Sequence, residues 1–286
     1  MSLAETALLG ALAGFTIFLG LPVGRLQLLS SRTRVGLAMF SVGILVFLLI
    51  DVLAHGFEIS EEAVTAYKDG TGSFAHAVAL ALLLVGGFAL GSAGLGILER
   101  RIRPGATVLP PIAGGATDTL TVEDHQALAA QASAARAQAL QTGLIIAAAI
   151  GLHNFAEGLA IGVSAGTGEI GLATVLIIGF ALHNATEGFG IIGPLGNIKP
   201  SWRWLALVGL IGGGPTFLGS IVGYNVTSDQ LELVFYAVAG GAILYVIGEI
   251  WHGMRRYGHR ELGLILLASG FAAGVLTDLV VAYGGG

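Results

Sequence analysis

Stretches of apolar residues, each long enough to cross a bilayer, constrain this chain more than any other feature. A membrane-spanning helix needs ~20 predominantly apolar residues. Stretches of this kind lie at 4–24, 35–55, 74–98, 138–165, 170–192, 203–224, 232–253 and 261–283. We therefore predict an all-α polytopic membrane protein with eight transmembrane helices.

The composition agrees with this prediction and excludes several other classes. Hydrophobic residues make up 55% of the chain and charged residues only 11%, against about 45–50% and about 25% in soluble domains. With 18 acidic and 13 basic residues, the net charge is −5, so the chain offers no basic surface for nucleic acid. It has no cysteine, which excludes disulfides and thiolate metal sites.

The basic residues predict the orientation in the membrane. All of the 13 except Lys68 fall at alternate ends of the predicted spans: Arg25, Arg32, Arg34, Arg100, Arg101, Arg103, Arg136, Lys199, Arg203, Arg255, Arg256 and Arg260. By the positive-inside rule this side is cytoplasmic. We expect an integral protein of the plasma (inner) membrane with both termini on the extracytoplasmic side.

The chain is predicted to form a single transmembrane transport domain, 1–286. Residues 104–137 are predicted to be a cytoplasmic linker between the third and fourth helices, rich in Pro, Gly and Thr at first. From Thr121 onward the linker is rich in Ala and Gln and could extend the fourth helix. On the opposite side, residues 58–69 are predicted to form an acidic external loop with Glu58, Glu61, Glu62 and Asp69.

A short repeat lies in the middle of the chain. Residues 152–158 read LHNFAEG and residues 182–188 read LHNATEG. The copies lie near the centres of the fourth and fifth spans, which run in opposite directions. This arrangement predicts an inverted pseudo-repeat with a shared site between the two helices.

The spacing within the repeat points to metal chemistry. Residues four apart share a helix face, so His153 and Glu157 point the same way, as do His183 and Glu187. In each motif the asparagine, Asn154 or Asn184, lies at the edge of the same polar helix face. Imidazoles with carboxylates favour Zn²⁺ or Fe²⁺ over Mg²⁺ or Ca²⁺, and ionisable residues inside a membrane usually mark functional sites.

On these two motifs and its eight-span topology, the chain resembles the ZIP (Zrt/Irt-like) divalent metal transporters of the bacterial and archaeal type. The resemblance implies that His153, Glu157, His183 and Glu187 form the main metal site. It also implies that Asn154 and Asn184 join the shared carboxylates in a second, adjacent site.

The chain departs from the family pattern at two places. Ala156 and Thr186 stand where family members commonly have a proline before the glutamate, so any break in these helices is expected at Gly158 and Gly188. Thr216 stands where many members have a glutamate in the sixth span. The resemblance therefore implies one well-held metal rather than a binuclear pair.

Further residues are predicted along a transport pathway. Asp51 and His55, at the outer end of the second span, are expected to form a cation-attracting mouth. Glu249 and His252 are expected to lie on the exit side, although Glu249 could instead pair with a neighbouring arginine. Residues 212–215 (Gly-Gly-Gly-Pro) predict either a hinge or tight packing in the sixth span.

The resulting interpretation is a transporter that moves a divalent transition metal into the cytoplasm by alternating access. Zn²⁺ is the expected cargo, with Fe²⁺, Mn²⁺ and Cd²⁺ as other candidates. Neither direct ATP use nor a permanently bound cofactor is expected, and the partners are the lipid bilayer and the metal. The glycine-rich spans can pack within one chain or between two, so a homodimer remains open.

Two other functions are compatible with parts of the pattern. HNATEG is similar to the Gly-Asn-x-x-Glu motifs of cation/proton exchangers of the calcium-exchanger type, although calcium sites prefer oxygen ligands. An intramembrane metalloenzyme is the third interpretation. The chain, however, lacks the His-Glu-x-x-His order of zinc proteases, and neither repeat supplies the Glu-x-x-His pairs of di-iron enzymes.

Overall fold

A computed structural model of the protein describes residues 1–26, 30–102, 122–168, 170–225 and 228–283. All regular elements in this part of the chain are helical, and eight of the helices are long and apolar enough to cross a membrane. Continuous helices form the second span and the fourth to eighth: Ser31–Lys68, Val122–Gly166, Ile170–Ile192, Trp202–Asn225, Asp229–Arg255 and Arg260–Tyr283. The predicted fold class of eight transmembrane helices is confirmed.

The first and third spans are interrupted. The first comprises Leu3–Phe15 and Ile17–Gly20, followed by the 3-10 turn Leu21–Arg25. The third comprises Phe74–Ala89 and Leu95–Ile102 on either side of a π-helical turn, Leu90–Gly94. The fifth span ends in a 3-10 turn, Gly193–Leu195.

The helix of the second span is longer than predicted. It continues to Lys68, so Glu58, Glu61 and Glu62 lie on the helix and the expected acidic loop at 58–69 is wrong. The segment after Gly56 is rich in good helix formers such as Glu and Ala and contains no proline, so nothing ends the helix there. At 1.5 Å per residue its 38 residues span about 57 Å, far more than a ~30 Å hydrocarbon core.

The fourth span is also extended. Its helix begins at Val122, so residues 122–137 of the predicted linker are helical, which suits their Ala- and Gln-rich sequence. Residues 104–121 of that linker, together with Arg103, lie outside the described residues. The placement of the linker in the cytoplasm stays a prediction.

Glycine residues bring the backbones of the fourth and sixth spans into contact. A Cβ atom added to Gly219 would lie 2.2 Å from the carbonyl oxygen of Phe155, and one added to Gly158 would lie 2.2 Å from that of Thr216. No side chain fits into such distances. Small residues at helix interfaces permit this close approach inside membranes, and these two spans form an extensive contact.

The motif glycines therefore serve packing and do not interrupt their helices. The helices Val122–Gly166 and Ile170–Ile192 run through Gly158 and Gly188 without a break. A Cβ atom on Gly188 would lie 2.8 Å from the carbonyl oxygen of Ile17 in the first span. The sixth helix likewise continues through Pro215, and Gly213 touches the backbone of Gly14.

An apolar cluster closes one end of the bundle. This end, which we call the basic end, is where the even-numbered spans begin and where the described basic residues other than Lys68 lie. The cluster is buried between the second, fourth, fifth and seventh spans. Its members include Met39, Ile146, Ile150, Ile191, Leu195, Ile250 and Met254.

The close contact between the fourth and sixth spans can be tested with a matched pair of glycine substitutions in one helix. We expect Gly219→Ala to destabilise the protein by about 1–3 kcal/mol, because the added methyl group overpacks the interface. Gly214 has open space at its Cβ position, so Gly214→Ala should leave stability unchanged or raise it by up to about 1 kcal/mol. Denaturation of the purified protein in detergent measures both. Equal stability of the two variants would contradict the proposed contact.

Candidate metal-binding site

The first motif aligns two polar side chains on one face of the fourth span. His153 Nε2 lies 2.9 Å from Glu157 Oε1, one helical turn further along. Both side chains are buried, with 1% of His153 and 4% of Glu157 exposed. The predicted alignment of His153 with Glu157 is therefore present in the structure.

The second motif brings another imidazole to the same carboxylate. His183 Nε2 hydrogen-bonds Glu157 Oε1 across the interface between the fourth and fifth spans. The candidate ligand atoms of His153, Glu157 and His183 all lie within 4.8 Å of one another. Two nitrogen atoms and a carboxylate oxygen in such a cluster match the ligand types and number of an open Zn²⁺ site.

Glu187 lies beside this group rather than within it. Its Oε1 is 3.8 Å from His153 Nε2, and its Oε2 accepts a hydrogen bond of 3.1 Å from Asn154 Nδ2. The side chain is fully buried. Three of the four residues predicted for the main site thus form a compact group, and the fourth borders it on the His153 side.

The two asparagines make equivalent contacts with the backbones of neighbouring spans. Asn154 Nδ2 donates to the carbonyl of Gly212 at 2.9 Å, close to Pro215 in the sixth span. Asn184 Nδ2 donates to the carbonyl of Ala13 at 3.3 Å, next to the interruption in the first span. The Oδ1 atoms of both are buried without a hydrogen-bond partner in the described part of the chain. The amide nitrogens thus anchor the side chains and leave their oxygens available as ligands.

Thr216 occupies the position where the resemblance implies a carboxylate. The side chain is completely buried, and its Oγ1 has no hydrogen-bond partner among the residues described. A hydroxyl group there supplies a neutral oxygen in place of a negative charge. The adjacent set of oxygens is consequently less suited to hold a second divalent cation.

A cavity of about 570 Å³ leads away from the three-residue group toward the end of the bundle opposite the basic end. His153, Glu157 and His183 line it, and so do Asp51 and His55. The ring of His55 packs against that of Tyr236 at a tilt of 36°, with 5.5 Å between the ring centres. The two residues predicted for the outer mouth therefore share one cavity with the centre.

Two further acidic residues on the cavity wall were missed by the sequence reasoning. Glu232 lies in the first turn of the seventh span, and Asp278 lies near the end of the eighth. Asp278 was recognisable in principle, because it is the sole charged residue in the predicted apolar stretch 261–283 apart from Glu261 at its start. Carboxyl groups from three spans thus surround the outer part of the cavity.

The residues predicted for the exit side are separate from this cavity. Glu249 is half-buried and His252 is exposed on the seventh span, and neither lines the cavity. The apolar cluster at the basic end lies between the centre and that end of the bundle. The role of Glu249 and His252 in an exit pathway stays a prediction.

Comparison with known proteins identifies the family. Residues 113–272, more than half of the chain, match the family model described as ZIP zinc transporter. The chain belongs to the ZIP family. Both motifs and Thr216 lie within the matched residues, so the resemblance seen in the sequence is confirmed.

Two relatives are similar to about half of the chain. The zinc transporter ZupT of Clostridium perfringens (strain 13 / Type A) is 33% identical over 136 residues, which are 46% of this chain and 47% of that protein. The zinc transporter ZIPB of Bordetella bronchiseptica (strain ATCC BAA-588 / NCTC 13252 / RB50) is 27% identical over 130 residues, or 44% and 42%. This ZIP chain thus spans about half the length of the curated relatives it matches.

The clustered ligand atoms predict that a transition metal stabilises the fold. A ligand at about 100 times its dissociation constant adds about 2.7 kcal/mol to the free energy of unfolding. We therefore expect Zn²⁺ to raise the melting temperature of the wild-type protein in detergent, and to have little effect on His153→Ala or His183→Ala. His76→Ala is the control, since His76 is exposed and lies off the cavity. If Zn²⁺ still raises the melting temperature of both His153→Ala and His183→Ala, the metal binds elsewhere.

Proposed function

We propose that this protein carries a divalent transition metal ion, with Zn²⁺ as the main cargo, across the membrane into the cytoplasm. The observation that supports this most is the position of Glu157 Oε1, within reach of the Nε2 atoms of both His153 and His183. Family membership and the names of both relatives agree with a metal substrate.

The donor set favours a transition metal over Ca²⁺ or Mg²⁺. Imidazole nitrogen suits Zn²⁺, Fe²⁺ and their neighbours, whereas Ca²⁺ and Mg²⁺ prefer oxygen ligands. The charges also fit, because the carboxylates of Glu157 and Glu187 together would neutralise one divalent cation in a buried position. Without a cation, two ionised carboxylates inside a membrane are costly.

We propose that one metal ion binds at a time. His153, Glu157 and His183 would supply the first ligands, and Glu187 lies close enough to join them after a small movement. Asn154 would position Glu187 through the hydrogen bond to its Oε2. The neighbouring oxygens of Asn154, Asn184 and Thr216 carry no charge, which supports a single ion rather than a pair.

The cavity supports an entry route from the end opposite the basic end. Asp51, Glu232 and Asp278 place acidic groups around its wall, and a cleft lined by one sign of charge raises the local concentration of counter-ions. If the basic end faces the cytoplasm, as the positive-inside rule implies, this route begins outside the cell.

Alternating access would then require the apolar cluster at the basic end to separate. In the described conformation the cavity reaches the centre from one side, while buried residues such as Ile150, Ile191 and Ile250 fill the other side. Relative movement of the spans would close the cavity and expose the metal toward Glu249. No ATP-binding sequence is needed for such a carrier.

Uptake of labelled Zn²⁺ into proteoliposomes tests the central site. We expect Glu157→Ala and His183→Ala to lower the uptake rate by about 10- to 100-fold or more, because each removes a ligand. His76→Ala should transport at the wild-type rate. Each variant is first checked for folding by size-exclusion chromatography.

Competition in the same assay separates the alternatives. Unlabelled Cd²⁺ should compete with Zn²⁺, and an excess of Ca²⁺ should not. A wild-type rate of Zn²⁺ uptake in both Glu157→Ala and His183→Ala would refute the central site. Efficient competition by Ca²⁺ would favour an exchanger of the calcium type.

Neutralising the cavity wall should weaken metal capture more than translocation. We expect the double variant Asp51→Asn/Asp278→Asn to raise the KM for Zn²⁺ by about tenfold at low ionic strength, with the maximal rate largely retained. Added salt should reduce the difference, since it screens the lost attraction. Asp69→Asn removes an exposed carboxylate off the cavity and is the control. An equal effect of the control would show that the cavity wall has no special role.

A further inference from the structure

A second concave site lies at the basic end, between the start of the second span, the end of the seventh and the start of the eighth. Its volume is about 410 Å³, within the range of roughly 300–1,000 Å³ that small-molecule sites occupy. This groove is separate from the metal cavity, and the two share none of their lining residues.

The groove has one cationic side. Arg255, His259 and Arg260 line it, and no carboxylate group does. The guanidinium groups of Arg255 and Arg260 have no hydrogen bond or ion pair with another residue in the described ranges, whereas that of Arg256 donates to the carbonyl of Pro194. Two free guanidinium groups in one groove are suited to a phosphate, because each can bind it with paired hydrogen bonds.

The rest of the groove lining, which we call its apolar side, consists of hydrophobic side chains and glycine. It is formed by Val35, Met39 and Met254, which are buried, together with Leu264 and the ring of Trp251. Leu264 is 44% exposed and Trp251 is 38% exposed. Tryptophan at the end of a span is typical of the membrane–water interface, so this apolar side lies where lipid chains meet the headgroup region.

The turn between the seventh and eighth spans contacts the start of the second span. Gly258 and His259 have positive φ angles of 71° and 56°. A positive φ is uncommon for a residue with a side chain such as His259. A ring nitrogen of His259 lies 3.1 Å from the hydroxyl oxygen of Ser31, at the start of the second span. This exposed hydrogen bond connects the turn to the second span, which also lines the groove.

We propose that this groove binds an anionic phospholipid, with the lipid phosphate between Arg255 and Arg260 and an acyl chain along Leu264 and Trp251. A free anion would contact the guanidinium groups but leave the apolar side of the groove unfilled. A zwitterionic lipid would place its own cationic headgroup close to the two arginines, which repel it. Basic pockets between transmembrane helices are known to hold acidic headgroups. The proposal does not depend on which ion the protein transports.

Fluorescence quenching of Trp251 tests the proposal directly. The chain has three tryptophans, so Trp202→Phe/Trp204→Phe leaves Trp251 as the reporter. The protein is reconstituted in phosphatidylcholine, and phosphatidylglycerol or phosphatidylcholine with brominated acyl chains is added in increasing mole fraction. We expect phosphatidylglycerol to reach half-maximal quenching at a mole fraction about 10- to 30-fold lower than phosphatidylcholine does. Two arginines near the membrane surface can supply a preference of this size.

Charge variants connect the preference to the groove. Arg255→Gln/Arg260→Gln in the same background should abolish it. Arg101→Gln/Arg203→Gln removes two exposed arginines that lie off the groove at the same end, and should preserve it. Equal quenching by both lipids, or a preference that persists without Arg255 and Arg260, would overturn the proposal.

Two further measurements complete the test. Inorganic phosphate should not relieve the quenching beyond the effect of chloride at the same ionic strength; relief specific to phosphate would identify a soluble anion as the ligand and overturn the lipid assignment. Native mass spectrometry of the unaltered protein, released from mixed micelles, gives a readout that needs no tryptophan substitution. It should retain phosphatidylglycerol in preference to phosphatidylcholine, and equal retention would contradict the proposal.

Discussion

Direct contact between helix backbones at glycine positions is the constraint on which the rest of this structure depends. In a bilayer, apolar side chains gain little by leaving lipid for protein, so helices associate chiefly through close packing and hydrogen bonds. Gly158 and Gly188 each follow a motif glutamate by one residue, and each touches the backbone of another span. The turns that carry the polar side chains are therefore the turns that fix the distances between helices. Asn154 and Asn184 can reach carbonyl groups of the sixth and first spans because those backbones are so near.

The same packing explains how a polar cluster is tolerated at this depth. His153 and His183 each contact Glu157, and Asn154 connects Glu187 to the sixth span. Each group thereby replaces part of the water it loses on burial. Several buried oxygens nevertheless keep no partner among the described residues, including those of both motif asparagines. A cluster that is held firmly but left short of positive charge is suited to bind a cation and to release it again.

The two ends of the bundle differ in charge and in access to the centre. At one end, acidic side chains from three spans surround a cavity that reaches the centre. At the other end, the way to the centre is filled by apolar side chains, and arginines lie around the rim. This difference supports both proposals, cation entry at the acidic end and lipid binding at the basic end. If alternating access operates as proposed, anchoring the seventh and eighth spans to lipid at the basic end would stabilise the elements next to the apolar cluster that has to separate.

Much of this could be predicted from the sequence, because apolar length, basic-residue distribution and i, i+4 spacing are local properties. They predict eight spans, the pairing of His153 with Glu157 and the metal-binding character of the repeats. The length of the second helix was underestimated, because hydropathy falls after Gly56 while the good helix formers that follow continue the helix into water. The extension of the fourth helix was expected from its Ala- and Gln-rich sequence. The inclusion of Glu232 and Asp278 in the cavity, and the position of Glu187 at the edge of the central group, depend on how each helix is rotated and how deep it lies. Those two quantities are set by contacts between distant segments, such as Gly158 with Thr216, so only the tertiary structure decided them.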